Sequence, residues 1–314
     1  YVNNVLSLQP GRSRYGLMLN ENGVIIDDGV FSRLADEHFL LNTTSAGVAR
    51  IHSMLEEWLQ CEWSDLDVIV DDFTTQWANF TVAGPNARTV LEALEPDIDL
   101  SASALPHMAV ACGNIAGLEA RINRVSFSGE LSFEINIPAH RAAGFLERVL
   151  EKGEPFGITP YGVEALMILR TEKGYLHVGS DTDGSSTPDD VGWGAVARKK
   201  STDYIGRRSL FREANLDPGR KQLVGLETID PGRTLRSGGH LLIGADRVPP
   251  AETDGWITSA CYSPTLSRHI ALGVLKGGQK RSGEILTVCD ENDRFNVKVV
   301  PTVFYDPENN NLRD

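Results

Sequence analysis

Two adjacent carboxylates, Asp27 and Asp28, end the apolar run Val24-Ile25-Ile26. Side chains alternate across a strand, so if the strand continues the two acids point to opposite faces and only one faces a pocket. A carboxylate fixed there can take a proton or stabilise a transient cation. Opposite unit charges about 4 Å apart attract by about 4 kcal/mol at an effective dielectric near 20, enough to matter to a barrier. The same residues also fit a turn, because Asp28-Gly29 is a common hairpin dipeptide. Glu134 poses a similar choice. The segment Ser132-Phe133-Glu134-Ile135-Asn136-Ile137 predicts a strand with Phe133, Ile135 and Ile137 on one face and Glu134 on the other. A glutamate so placed on a strand is most simply on a solvated face. Tyr15 and Tyr175 offer faces on which a ring can stack, or serve as core-edge packing. Arg170 and Glu172 are either a structural ion pair or pocket lining.

Other chemistries find no support. Gly192-Trp193-Gly194-Ala195-Val196-Ala197 fits G-x-G-x-x-A, yet Ser186-Thr187-Pro188-Asp189-Asp190 precedes it where a dinucleotide site needs an apolar strand. There is no Walker A sequence and no G-x-S-x-G, and the seven histidines are dispersed without metal-ligand spacing. Cys61, Cys112, Cys261 and Cys289 lie far apart with no C-x-x-C, which argues against zinc and disulfides and for a reducing cytoplasm. No apolar run approaches the 18 or so residues that span a bilayer. The balance of 30 Lys+Arg against 43 Asp+Glu, a net charge of −13, repels a phosphate backbone, and the longest basic block is Arg198-Lys199-Lys200.

The elements that must hold these residues are legible in outline. The 314 residues, 41% hydrophobic, are enough for two or three globular domains. Val48, Ile51, Met54, Leu55, Trp58 and Leu59 fall on one helical face, and Trp77 to Val82 predicts a strand. Ala83-Gly84-Pro85-Asn86-Ala87 then makes a turn whose proline suits the first helical position of a stripe through Val90, Leu91 and Leu94. Leu118 to Phe127 and Ser132 to Ile137 predict a strand pair, followed by a helix carrying Phe145, Leu146, Val149 and Leu150. From about Gln222 short strands alternate with Gly, Pro and Asp turns: Leu223 to Leu226, His240 to Ile243, Trp256 to Ser259, His269 to Val274, Glu284 to Val288 and Phe295 to Val300. That pattern predicts a small all-β barrel or sandwich.

Three strings are more specific: Gly11-Arg12-Ser13-Arg14-Tyr15-Gly16-Leu17-Met18-Leu19-Asn20 running on to Asp27-Asp28, Ser126-Phe127-Ser128-Gly129-Glu130-Leu131-Ser132-Phe133-Glu134-Ile135, and Ile257-Thr258-Ser259-Ala260-Cys261-Tyr262-Ser263-Pro264-Thr265-Leu266. With Gly84-Pro85 and Asp203-Tyr204-Ile205-Gly206-Arg207, they resemble the aminomethyltransferase (glycine cleavage T protein) family, in order, from residue 1 to about 305. The family's opening segment and an initiator Met are missing, so the chain reads as part of a longer protein. Within the superfamily, Arg14 to Leu19, Gly157 to Leu166 and Arg170-Thr171-Glu172-Lys173-Gly174 look closer to the carboxy-terminal half of heterotetrameric sarcosine oxidase alpha subunits. The glycine cleavage branch carries a Gly-Leu-Gly-Ala-Arg-Asp type sequence where this chain has Gly162-Val163-Glu164-Ala165-Leu166-Met167, so one folate-contacting arginine is absent.

The resemblance implies an α+β chain with aminomethyltransferase-like folate-binding α/β domains followed by a C-terminal all-β barrel domain. Its parts would be a first α/β part over residues 1–73, a second with the connecting segment over 74–214, and the barrel over 215–314. It implies an enzyme that captures a methylene iminium from oxidised sarcosine on tetrahydrofolate, giving 5,10-methylenetetrahydrofolate and glycine. Asp28 would then be catalytic, with Glu134, Tyr15 and Tyr175 binding the folate, Glu134 through the pterin N–H and amino edge. Flavin and NAD would lie only in other parts of the complex, the partners would be its other subunits and an amine-derived imine, and the setting cytoplasmic. The alternatives are a glycine cleavage aminomethyltransferase fed by a lipoyl carrier protein, or a non-catalytic interaction domain of the same fold. A polyanionic folate tail would need a local basic cluster such as Arg12, Arg14 or Arg124 against the overall negative field.

Overall fold

The computed structural model describes residues 1–243, 252–291 and 293–313. Its first sheet is antiparallel, in the order β1 (Arg12–Leu19), β2 (Ile25–Ala35), β3 (His38–Leu41). Asn20 closes the β1–β2 turn by accepting the backbone N–H groups of Asn22 and Val24 on its side-chain oxygen, with Gly23 at φ +79°. The Asp28-Gly29 pair is therefore no turn. It lies inside β2, with Asp28 opposite Leu17 and Gly29 opposite Gly16. Glycine stands at 29 because the chain crosses behind it: a Cβ there would meet the Asn42 carbonyl oxygen at 1.7 Å.

The helix expected after this sheet is α1 (Val48–Cys61), of which only Ile51 is buried. The second sheet has the order β4-β7-β6-β5, built from β4 (Trp77–Ala83), β5 (Val110–Ile115), β6 (Leu118–Asn123) and β7 (Ser132–Pro138). Phe133, Ile135 and Ile137 face a core shared with α2 (Ala87–Glu92) and α3 (Ala142–Gly153), while Glu134 takes the other face as the alternation requires. Pro85 does not occupy the first helical position. The helix starts at Ala87 with Asn86 as its cap residue, so the proline shapes the preceding turn. The β6 strand stops at Asn123, short of the predicted Phe127, and Arg124 beyond it is buried, donating to Leu105 O and Leu312 O.

The two sheets join at their edges. Ser13 N donates to Met108 O and Val110 N to Gly11 O, and the Ser32 hydroxyl of β2 donates to Asn123 Oδ1 of β6 at 3.3 Å. After α4 (Val163–Glu172), six strands close into a barrel in the order β10-β11-β8-β13-β12-β9. They are β8 (Lys221–Thr228), β9 (His240–Leu242), β10 (Gly255–Ser263), β11 (Arg268–Lys276), β12 (Ile285–Asp290) and β13 (Asp293–Val300), each overlapping a strand expected from the sequence. Leu226, Leu241, Ile257, Ala271, Val288 and Val297 fill the barrel interior, and closure leaves no edge to pair with another chain.

Buried polar contacts bind α4 to the barrel. Arg170 reaches Asp181 Oδ2 at 2.6 Å and Ser259 Oγ at 2.6 Å, and Ser259 donates to Asp181 Oδ1 at 2.7 Å. Glu172 accepts Ser263 and Thr265, and Lys173 pairs with Asp306 at 2.9 Å. Arg170 and Glu172 are thus structural but are not partners of each other. The back of the barrel packs through Leu223, Leu272 and Val274 on Leu17, Leu19 and Ile25 of the first sheet, which gives Asp28 a rigid base.

Candidate functional site

Ser13, Tyr15 and Leu17 share a face of the first sheet with their register partners Ser32, Val30 and Asp28. On it the Tyr15 hydroxyl donates to Asp28 Oδ2 at 2.6 Å. The Trp193 ring meets Tyr15 edge-on, centroid to centroid 5.3 Å, so the phenol has a fixed orientation. Burial pushes the Asp28 carboxyl up to about 6, with the Asp27 charge adding to the rise and the Tyr15 hydrogen bond opposing it. A carboxyl poised there is ionised at neutral pH yet more basic than an ordinary aspartate, which suits proton transfer. Burial and the Asp28 charge in turn raise the Tyr15 phenol well above its usual range, so it stays a donor.

Asp27 takes the opposite face, fully buried, among the N–H groups of Asp28 and Thr44. The alternation seen in the sequence therefore separates the two acids, and Asp28 is the one facing the half-exposed side.

Glu134 is linked to this face through two buried polar residues. Ser32 Oγ donates to Asn123 Oδ1 at 3.3 Å, and Asn123 is the register partner of Glu134 on β7. Burial raises the Glu134 carboxyl, opposed by a hydrogen bond from Asn79, and its charge acts on the Tyr161 phenol. Two buried polar atoms without a partner flank it, Asn123 Nδ2 and Ser132 Oγ. A region with unused hydrogen-bonding capacity beside a desolvated carboxylate fits the polar edge of a heterocycle. The Tyr175 ring stacks on Phe127, 6.4 Å between centroids and 15° between planes.

None of the three arginines considered for an anionic tail is turned to this surface. Arg124 is buried and holds two carbonyls, and Arg12 and Arg14 alternate away from Tyr15 to bond His107 O and Asn4 O. Trp193 and Asn123 were not foreseen. Trp193 sits in the glycine-flanked string that fails as a nucleotide motif, and Asn123 carries no signal of its own, since it continues the polar side of the alternating Leu118-Glu119-Ala120-Arg121-Ile122-Asn123. Among the described residues no group of three or more His, Cys, Asp or Glu is placed to hold a metal, all four cysteines are free, and no helix is long and apolar enough to cross a membrane.

The site yields a prediction independent of any substrate. Tyr15→Phe removes the hydrogen bond that holds the Asp28 carboxyl down, so its midpoint should rise above about 6, read by carbon-13 NMR of the carboxyl. An unchanged midpoint would mean that the 2.6 Å contact does not govern Asp28.

Two sheets bearing this face, followed by a closed six-strand barrel, define the class. The GCVT N-terminal domain profile matches residues 1–201, and that of the glycine cleavage T-protein C-terminal barrel domain matches residues 221–306. The chain belongs to the glycine cleavage T-protein (aminomethyltransferase) family. It is 42% identical over 313 residues to the sarcosine oxidase subunit alpha of Corynebacterium sp. (strain U-96), an alignment spanning 98% of this chain and 32% of that protein. It thus spans about a third of the length of such relatives. It is 32% identical over 306 residues to the aminomethyltransferase of Geobacillus kaustophilus (strain HTA426), covering 97% of this chain and 80% of the relative. The crystal structure of the glycine cleavage system aminomethyltransferase T from Bartonella henselae shares the fold, with a TM-score of 0.80 at 22% identity over 96% of this chain and 78% of that one.

Proposed function

We propose that this chain is the folate-dependent part of an amine-oxidising complex of the sarcosine oxidase type, transferring a one-carbon unit from a methylene iminium to tetrahydrofolate. The products are 5,10-methylenetetrahydrofolate and glycine. Two protons leave the folate nitrogens and two N–H bonds form on the released amine, so the step needs no oxidant. The oxidation that makes the iminium belongs to flavin-bearing parts of the complex outside these residues. The observation that carries the reading is the half-buried Asp28 carboxyl, held by Tyr15 at 2.6 Å and pushed up to about 6.

In this reading Asp28 takes a proton from a folate nitrogen and its charge stabilises the iminium as it approaches. Glu134 accepts the N–H and amino edge of the pterin, and the partnerless Asn123 and Ser132 atoms beside it fit such a ring edge. Tyr15 and Trp193 supply aromatic surface beside the acid, and Tyr175 on its Phe127 stack forms an outer wall. The companion subunits of the complex complete the protein.

Glu134→Ala tests the binding half of the proposal. A hydrogen bond to a charged group contributes about 1.5–3 kcal/mol, so the variant of the full-length protein should bind folinic acid roughly 10- to 150-fold more weakly. Wild-type affinity in a calorimetric titration would remove Glu134 from the site. A glycine cleavage role would instead require a lipoyl-bound aminomethyl donor. Gly162 to Met167, where that branch has its folate-contacting arginine, weighs against it.

A further inference from the structure

Asp27 is 0% exposed, and the proposed chemistry makes no direct use of it. Burying a carboxylate is costly unless hydrogen bonds satisfy it, and this one has a built seat. Its Oδ1 accepts Asp28 N–H at 2.8 Å and Thr44 N–H at 3.0 Å, its Oδ2 accepts the Thr44 hydroxyl at 3.1 Å, and Arg50 Nη2 lies 3.9 Å from Oδ2. Gly47 is part of the seat, since a Cβ there would come within 1.8 Å of Asp27 Oδ2. The segment 42–47 lies against the back of β2, where Asn42 N–H also donates to Val30 O at 2.9 Å.

We propose that Asp27 is a positioning residue for Asp28: its carboxylate, clasped by Thr44 under the 42–47 segment, fixes the backbone of residue 28 and places a second negative charge behind the reacting carboxyl. This rests on Asp28 being the base proposed above. The Asp28 N–H is held directly, so the strand cannot rotate residue 28 away from Tyr15 without breaking the clasp. The charge works in the same direction as burial on the Asp28 carboxyl. The other groups around the pair are Tyr15 from β1, Tyr1 from the N-terminal segment, whose phenol is pushed up by burial and by both acids, and Arg50 from α1.

The test is the pH–rate profile of methylenetetrahydrofolate formation in the full-length assembled enzyme. Asp27→Asn keeps the shape of the side chain and removes the charge, so the acid limb should move down by about one pH unit while folinic acid affinity stays unchanged. Gly47→Ala displaces the Asp27 carboxylate from a different element while keeping its charge, so it should disturb the placement of residue 28 and lower turnover at the pH optimum, with folinic acid affinity spared. A folded Asp27→Asn enzyme whose limb stays in place, or that loses rate evenly at every pH, overturns the inference. Asp28→Asn separates the two failures. If that variant turns over like wild type, the base assignment fails and this inference with it; if it is inactive while the Asp27→Asn limb does not move, only this inference fails.

Discussion

Asp28→Asn should lower methylenetetrahydrofolate formation by about 10²- to 10⁴-fold, the range a positioned general base contributes, while amine oxidation and folinic acid affinity stay close to wild type. The substitution is nearly isosteric, and the amide oxygen still accepts the Tyr15 hydroxyl, so the face keeps its shape. What disappears is the negative charge and the ability to take a proton. Separate assays of amine oxidation, folinic acid binding and methylenetetrahydrofolate yield on one preparation decide the matter. Equal loss of all three would point to a damaged fold, and an unaffected yield would end the assignment of Asp28. In the wild type, yield should fall as pH drops through about 6, where Asp28 gains its proton and stops acting as a base.

The second large effect concerns stability. Asp181 is 0% exposed and meets Arg170, 4% exposed, at 2.6 Å, while also accepting Thr258, Ser259 and the His177 N–H. Asp181→Ala leaves the Arg170 guanidinium buried without its counter-charge, which costs about 3–5 kcal/mol. The loss should appear as a lower urea midpoint in the full-length protein. Replacing both partners with apolar residues, Arg170→Met with Asp181→Leu, should recover much of it, because the expense lies in the stranded charge. A single variant within about 1 kcal/mol of wild type would show that the barrel is held by its apolar contacts with the first sheet instead.

How far the sequence reaches is clear from particular residues. Phe133, Ile135 and Ile137 announce a strand with one buried face, and Glu134 lands on the other face because the period of two is a local property of the backbone. The barrel strands are legible for the same reason. The β1 and β5 strands were not picked out, since Gly16 and Gly113 interrupt their apolar patterns for the sake of close neighbours: Tyr1 and Asn3 in one case, Asp97 and Ile98 in the other. Arg170 found Asp181, eleven residues on, where proximity in sequence offered Glu172, because the 175–181 segment folds back between α4 and the barrel.

The adjacent acids draw the line most sharply. That Asp27 and Asp28 must part to opposite faces if they lie in a strand follows from the sequence alone. That they do lie in a strand, and that Asp28 is the one left half-exposed beside Tyr15, was decided by the tertiary structure. The reason is physical: the Asn42–Gly47 segment crosses behind β2, leaving no room for a side chain at residue 29 and enclosing the Asp27 carboxylate, and a contact made by residues 13 to 20 positions away leaves no periodicity for a local reading to detect.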